Sequence, residues 1–244
     1  MGAPGLRGAH PYVGRMKPLA LITGASRGIG AAVARELADT HSLLLGGRDV
    51  AALDALAEHL PDARPWPVEL TDPTALAAAT SGLRRLDVLV HSAGVARVGP
   101  LTEASADLWR STYEVNVVAV AELTRLLLPA LRVARGRVVL INSGAGLFAH
   151  PGWGPYAASK FALRAYADVL RGEEAHTGVR VTSVFPGRTD TDMQRSVRSD
   201  EGGEYQPDQY LRPESVAAAV KAAVTASDDA HLTEIVVKVR PSAS

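Results

Sequence analysis

The chain has 244 residues, 47% hydrophobic and 21% charged, a composition that excludes disordered, collagen-like and coiled-coil fibrous proteins. Lys plus Arg and Asp plus Glu balance at 26 each, so the net charge of +0 argues against a general nucleic-acid binder, which needs a basic surplus or stripe. With no cysteine in the sequence, disulfides, thiolate nucleophiles and cysteine-based zinc sites are excluded.

Residues 1–16 are rich in Gly, Pro and Arg and have no apolar stretch, so they read as a disordered N-terminal tail, neither secretory signal nor anchor. Met16, just before the first strand, is a candidate translation start. From 17 to 244 apolar runs and helical stretches alternate without repeat or linker, which predicts a single α/β domain with a parallel sheet covered on both faces. Strands are expected at Leu19–Thr23, Ser42–Gly46, Arg64–Glu69, Leu86–Ser92, Gly136–Ser143, Val179–Phe185 and Thr233–Val239. Helices are expected at Gly28–Asp39, Val50–Leu60, Pro73–Thr80, Ala104–Arg132, Tyr156–Thr177 and Pro213–Ser227. The segment 188–212 has no helical pattern, several charges and Gly202-Gly203, and reads as a mobile substrate loop. The longest largely apolar stretches, Val115–Ala121 and Leu126–Leu131, fall short of the roughly 18 residues that span a bilayer; no membrane insertion and a cytoplasmic location are expected.

The first strand runs into Thr23-Gly24-Ala25-Ser26-Arg27-Gly28-Ile29-Gly30, a glycine-rich turn opening a helix. Such a turn brings backbone N–H groups and the positive helix end against a pyrophosphate. At the end of the second strand, where NAD-binding folds place an acid, the chain reads Leu45-Gly46-Gly47-Arg48. Arg48 and Arg27 can hold a 2′-phosphate, so NADP(H) is expected over NAD(H).

Tyr156 and Lys160 stand four apart on one helix and share a face. A lysine cation roughly 5 Å from a tyrosine, at an effective dielectric of about 20, stabilises the phenolate by about 3 kcal/mol, or about two pKa units. That would bring the phenol into the range of general acid–base catalysis. In a parallel sheet Gly94, Ser143 and the Pro186-Gly187 pair collect at the carboxyl edge beside the glycine turn, with Asn116 on the intervening helix and Thr189 and Thr191 following. Ala145, Phe148 and Trp153, in the loop between Ser143 and Tyr156, are candidate walls of a substrate pocket. The seven histidines show no metal-ligand spacing, and no metal site is expected.

These residues resemble the short-chain dehydrogenase/reductase family in its compact single-domain branch, over nearly all of Lys17–Arg240. The motifs are T-G-x-x-x-G-x-G, a serine followed by Y-x-x-x-K, and P-G after the sixth strand. The resemblance implies a Rossmann-like doubly wound, seven-stranded parallel sheet in the order 3-2-1-4-5-6-7, a nicotinamide cofactor, and oxidoreduction between a carbonyl and an alcohol. It maps a catalytic tetrad onto Asn116, Ser143, Tyr156 and Lys160: Tyr156 the acid–base, Ser143 the partner of the substrate oxygen, Lys160 the modulator of the phenol and holder of the ribose, Asn116 the anchor of a water reaching Lys160. Cofactor contacts are implied at Gly24, Ser26, Arg27, Gly28, Ile29, Gly30, Arg48, Glu69, Leu70, Ala93, Gly94, Pro186, Gly187, Thr189 and Thr191, besides Tyr156 and Lys160. A homodimer or homotetramer is implied as well, with a small carbonyl or alcohol as substrate.

The chain departs from the family pattern twice, having His91-Ser92-Ala93-Gly94 for Asn-Asn-Ala-Gly and Glu69-Leu70 for Asp-Val. The first change is expected to affect stability modestly, the second to weaken or shift the adenine contact. A non-catalytic NADP-binding sensor of the same fold is the alternative, since fold does not fix function. An epimerase or dehydratase of the longer branch is disfavoured, because such enzymes carry a larger C-terminal substrate domain.

Overall fold

The computed structural model describes residues 17–240; the expected tail and the candidate start at Met16 lie outside the described residues. In chain order the elements are β1 (Leu19–Thr23), α1 (Gly28–Leu37), β2 (Ser42–Gly47), α2 (Val50–Ala57), β3 (Ala63–Pro67), α3 (Pro73–Thr80), β4 (Val88–His91), α4 (Ala106–Tyr113), α5 (Ala119–Ala134), β5 (Arg137–Ile141), α6 (Gly154–Glu174), β6 (Arg180–Pro186), α7 (Asp192–Asp200), α8 (Pro213–Thr225) and β7 (Glu234–Val237). The strands form one sheet in the order β3-β2-β1-β4-β5-β6-β7, every pair parallel.

Strands buried on both faces are largely apolar, as in Leu19–Ile22 of β1 and Val88–Val90 of β4. Their side chains alternate between two cores. Ala20, Ile22, Val88 and Val90 face α1, α2 and α8, packing on Val33, Leu37, Leu53 and Val220. Leu21, Leu89, Val138 and Leu140 face α3, α5 and α6, packing on Leu76, Leu123, Leu127 and Leu163. Each such leucine, taken out of water, contributes about 1.5–3 kcal/mol, so the two layers dominate the stability of the sheet. Pro65 and Pro67 are tolerated in β3 because it is an edge strand.

Two expectations are corrected by the structure. The single helix expected over Ala104–Arg132 is α4 and α5 joined by a π-helical turn at Glu114–Val118, which carries Asn116 inward. The Arg188–Arg212 segment, expected to be a mobile loop, contains α7, whose N-terminus is capped by the Thr191 hydroxyl accepting from Gln194 N. A parallel bridge between Thr189 and Leu211 closes the segment at its base. Arg188 pairs with Glu201 through two hydrogen bonds of 2.6 and 2.9 Å. Polar caps and ion pairs make this helix, so its sequence carries almost no apolar period.

Candidate active site

The carboxyl edge of the sheet is built around the turn after β1. Gly24 and Gly28 adopt the left-handed backbone (φ +67° and +55°), and a Cβ on Gly24 would stand 2.8 Å from the Ala93 nitrogen. The Thr23 hydroxyl accepts from the Ser92 and Ala93 amides at 3.1 and 3.2 Å, which pins the end of β4 against the turn. A cleft of about 460 Å³ opens there, lined by Gly24, Ser26, Gly28, Arg48, Glu69 and Gly94 among others. A glycine turn packed this closely on the end of β4, opening the cleft at the start of a helix, fits a dinucleotide pyrophosphate. The residues present therefore suit the group that the sequence implies.

At the outer end of this cleft Arg48 Nη1 lies 3.5 Å from Glu69 Oε2, and Arg27 Nε lies 3.8 Å from Asp192 Oδ2. Both arginines are largely exposed, so these pairs are weak and the guanidinium groups are available to an incoming phosphate. Glu69 also accepts from Thr71 N and Oγ1; those bonds, with Arg48 nearby, hold its carboxyl below the usual range. Its carboxylate is thus engaged within its own turn, while Leu70 lines the cleft.

The inner end continues into a cavity of about 120 Å³ lined by Ser143, Trp153, Tyr156, Lys160, Arg188 and Val197 among others. Asn142, at the end of β5, accepts from Ser143 N at 2.8 Å and donates to Lys160 O at 3.1 Å, fixing the strand end against α6. One turn along α6 from Tyr156, Lys160 donates from Nζ to Ile141 O at 2.9 Å and lies 5.7 Å from the Tyr156 ring centre. Asn116 accepts from Val95 N and donates to Val95 O, both at 2.9 Å, and donates to Ser159 Oγ at 3.0 Å. Ser159 in turn donates to Tyr156 O at 2.7 Å. Asn116 therefore braces α6 and the Gly94–Val95 turn with its side chain. A Cβ built on Gly94 would lie 3.2 Å from Asn116 Oδ1 and 3.9 Å from Lys160 Nζ, so the three positions do converge.

Burial pushes the Tyr156 phenol above its ordinary value, against the opposing effect of a hydrogen bond with Ser143, and drops the Lys160 amine to about 8. The lowering expected from Lys160 is therefore not the net effect on the phenol: desolvation of the phenolate prevails, opposed by the Ser143 hydrogen bond.

The short chain dehydrogenase family profile matches residues 18–202. The chain belongs to the short-chain dehydrogenase/reductase family. A short-chain type dehydrogenase/reductase of Sinorhizobium fredii is 33% identical over 223 residues, covering 89% of this chain and 89% of that protein. Glycine betaine reductase of Emericella nidulans is 36% identical over 236 residues, which are 91% of this chain but only 19% of that much longer protein. Among solved structures, an alcohol dehydrogenase of Thermococcus sibiricus complexed with 5-hydroxy-NADP superposes with a TM-score of 0.83 at 28% identity, covering 91% of this chain and 96% of that one. Family and bound neighbour together support NAD(P)-dependent oxidoreduction.

Within this short-chain dehydrogenase/reductase, Trp153 lines the inner cavity, its ring 5.8 Å from that of Tyr156. Phe148 is 68% exposed and stands off the lining, and Ala145 is buried behind it against Tyr156 and Ala157. Pro186, Gly187, Thr189 and Thr191 all reach the cavity, and Thr191 lies over Gly28. Met193, Gln194 and Val197, which α7 adds to the wall, are not among the site residues expected from the sequence. The Thr191 cap was the one signal that could have found them. His91 sits inside the sheet, 2.9 Å from Thr124 Oγ1, and burial pushes it down to about 3, so it is a neutral core residue. Ser92 meets Thr23 through its amide. Among the described residues no helix is long and apolar enough to cross a membrane.

Proposed function

We propose that the protein is an NADP-dependent oxidoreductase that interconverts a small ketone or aldehyde with the corresponding alcohol. The observation that carries this reading is the placement of Ser143, Tyr156 and Lys160 on one cavity continuous with a glycine-lined cleft. Arg27 and Arg48, with no acid at the end of β2, favour the 2′-phosphate of NADP over the bare ribose of NAD. The solved relative bound to 5-hydroxy-NADP supports the same choice.

Gly24, Gly28 and Ala93 would hold the pyrophosphate side of the cofactor, and Gly94, Pro186 and Thr191 its inner half. When bound, the cofactor supplies or accepts a hydride at the nicotinamide ring. In the reductive direction the Ser143 and Tyr156 hydroxyls orient the carbonyl oxygen, and Tyr156 Oη passes its proton to that oxygen as negative charge develops there. A protonated Lys160 stabilises the phenolate left behind. Asn142 and Asn116 keep the two helix–strand junctions from moving, so both hydroxyls stay in place without reorganising. Trp153 and Val197 keep bulk water off the reacting oxygen.

The test is a fluorescence titration with NADPH and NADH followed by a panel of ketones and aldehydes. NADPH should bind more tightly, by about tenfold or more, and be consumed by at least one panel member. Tyr156→Phe should lower turnover by about 100-fold or more while leaving the NADPH dissociation constant within about twofold. Turnover by Tyr156→Phe at the wild-type rate removes the proposed acid–base; cofactor binding without any turnover favours the sensor reading instead.

A further inference from the structure

Three buried side-chain polar atoms lack a hydrogen-bond partner among the described residues: Arg137 Nε, Ser183 Oγ and Gln194 Nε2. Arg137 and Ser183 belong to β5 and β6 and line neither the cleft nor the cavity. Gln194 lines the cavity. It is 8% exposed, sits on the inward face of α7 with Val197, and shares the wall with Tyr156 and Ser143.

The helix that carries this carboxamide is held at both ends. It is fixed at the start by the Thr191 cap and at the end by Glu201, which takes two bonds from Arg188 and one of 2.7 Å from Arg198. Arg188 lies over the Trp153 ring at 5.5 Å, tying α7 to the opposite wall. Water can serve a buried N–H of this kind. A substrate that displaces the water must offer an acceptor or leave the N–H unpaired, and that asymmetry is the strongest source of discrimination a pocket has.

We propose that Gln194 is a substrate-specificity residue whose side-chain N–H bonds a second oxygen of the substrate. The preferred substrates are then carbonyl compounds with a further hydrogen-bond acceptor, such as keto esters and keto amides, in preference to plain ketones. This rests on the carbonyl–alcohol reading above. The rest of the wall agrees with it: Met193 and Val197 offer apolar surface, and neighbouring donors are engaged, the Arg188 guanidinium with Glu201, the Thr189 hydroxyl with Gly187 O and the Thr191 hydroxyl with Thr189 O.

The test compares a 3-keto ester with an alkanone of equal chain length, using NADPH and two variants, Gln194→Met and Gln194→Glu. Gln194→Met removes the donor at nearly constant volume and should lower kcat/KM for the keto ester about tenfold more than for the alkanone. Gln194→Glu keeps the shape but presents an acceptor, and should disfavour the keto ester at least as strongly. The dissociation constant of NADPH should stay within about twofold. A parallel binding arm follows the quenching of bound NADPH by the 3-hydroxy ester, which should bind about tenfold more weakly to Gln194→Met than to the wild type. Equal losses on both substrates, no loss on either, or a rise in the NADPH dissociation constant that accounts for the loss would each overturn the proposal, the last by placing the amide on the cofactor. If the wild type reduces no carbonyl compound, the functional reading fails by itself. Hydroxy-ester binding unaffected by Gln194→Met then overturns the specificity role independently.

Discussion

Tyr156 and Lys160 illustrate how far a single pair of side chains reaches. Each is buried in the wall of the cavity, and burial favours the neutral form of both: the phenol is pushed up and the amine down to about 8. Proton donation by Tyr156 leaves a phenolate, which a charged Lys160 stabilises and a neutral one does not. The cation is present below about pH 8 and is lost as pH rises through that value. With saturating NADPH, kcat/KM for carbonyl reduction should therefore be level below about pH 8 and fall about tenfold per unit above it. Lys160→Met should be slow throughout and lack this descending limb. A wild-type rate that stays level to pH 10 would refute the role given to Lys160. The chain itself named the pair, because a spacing of four on a helix is a local property. It could not give the sign of the tyrosine shift, since desolvation is set by Trp153, Ala145 and Ala157, which pack on it.

Among the elements, α5 and α7 are the most instructive. Helix α5 ends on Arg135, the one non-glycine residue with a left-handed backbone among the described residues (φ 49°), where its amide bonds Leu131 O and Arg132 O. An L-residue there costs about 1–2 kcal/mol, which glycine avoids at some expense in unfolded-state entropy. Arg135→Gly should stabilise the protein by about 0.5–1 kcal/mol. The measurement is the urea midpoint, which should rise with the slope unchanged; a lower midpoint would show that the Arg135 side chain contributes something beyond the cap. Strands such as β1, β4 and β5 were legible because a strand buried on both faces must be largely apolar. Helix α7 was not, because only Gln194 and Val197 of its nine residues are buried and the rest is held by Thr191, Arg188 and Glu201. The π turn between α4 and α5 was equally hidden. It exists because Asn116 reaches Val95 and Ser159 on other elements, and no local pattern encodes that reach.

At the scale of the molecule, the layer formed by α5 and α6 leaves apolar surface outside. Phe161, Ala165 and Val169 make an exposed stripe at helical spacing along α6, and Val118 is exposed at the start of α5. The dimer or tetramer expected from the sequence would use such a surface as its association face. Sedimentation equilibrium should show an assembly larger than one chain, and Phe161→Glu with Val169→Glu should convert it to monomer while NADPH still binds. A wild-type monomer at micromolar concentration would overturn that expectation. The sequence alone determined the layered α/β architecture, the glycine turn and the tyrosine–lysine pair, because apolar period, backbone permissiveness and helical spacing are carried by residues close together in the chain. Only the tertiary structure decided that Trp153 and Gln194 line the cavity while Phe148 faces solvent, that α7 closes over the glycine turn, and that burial governs Tyr156. Those outcomes depend on which segments distant in sequence share one space, and that is fixed by packing across the sheet edge rather than by any local pattern.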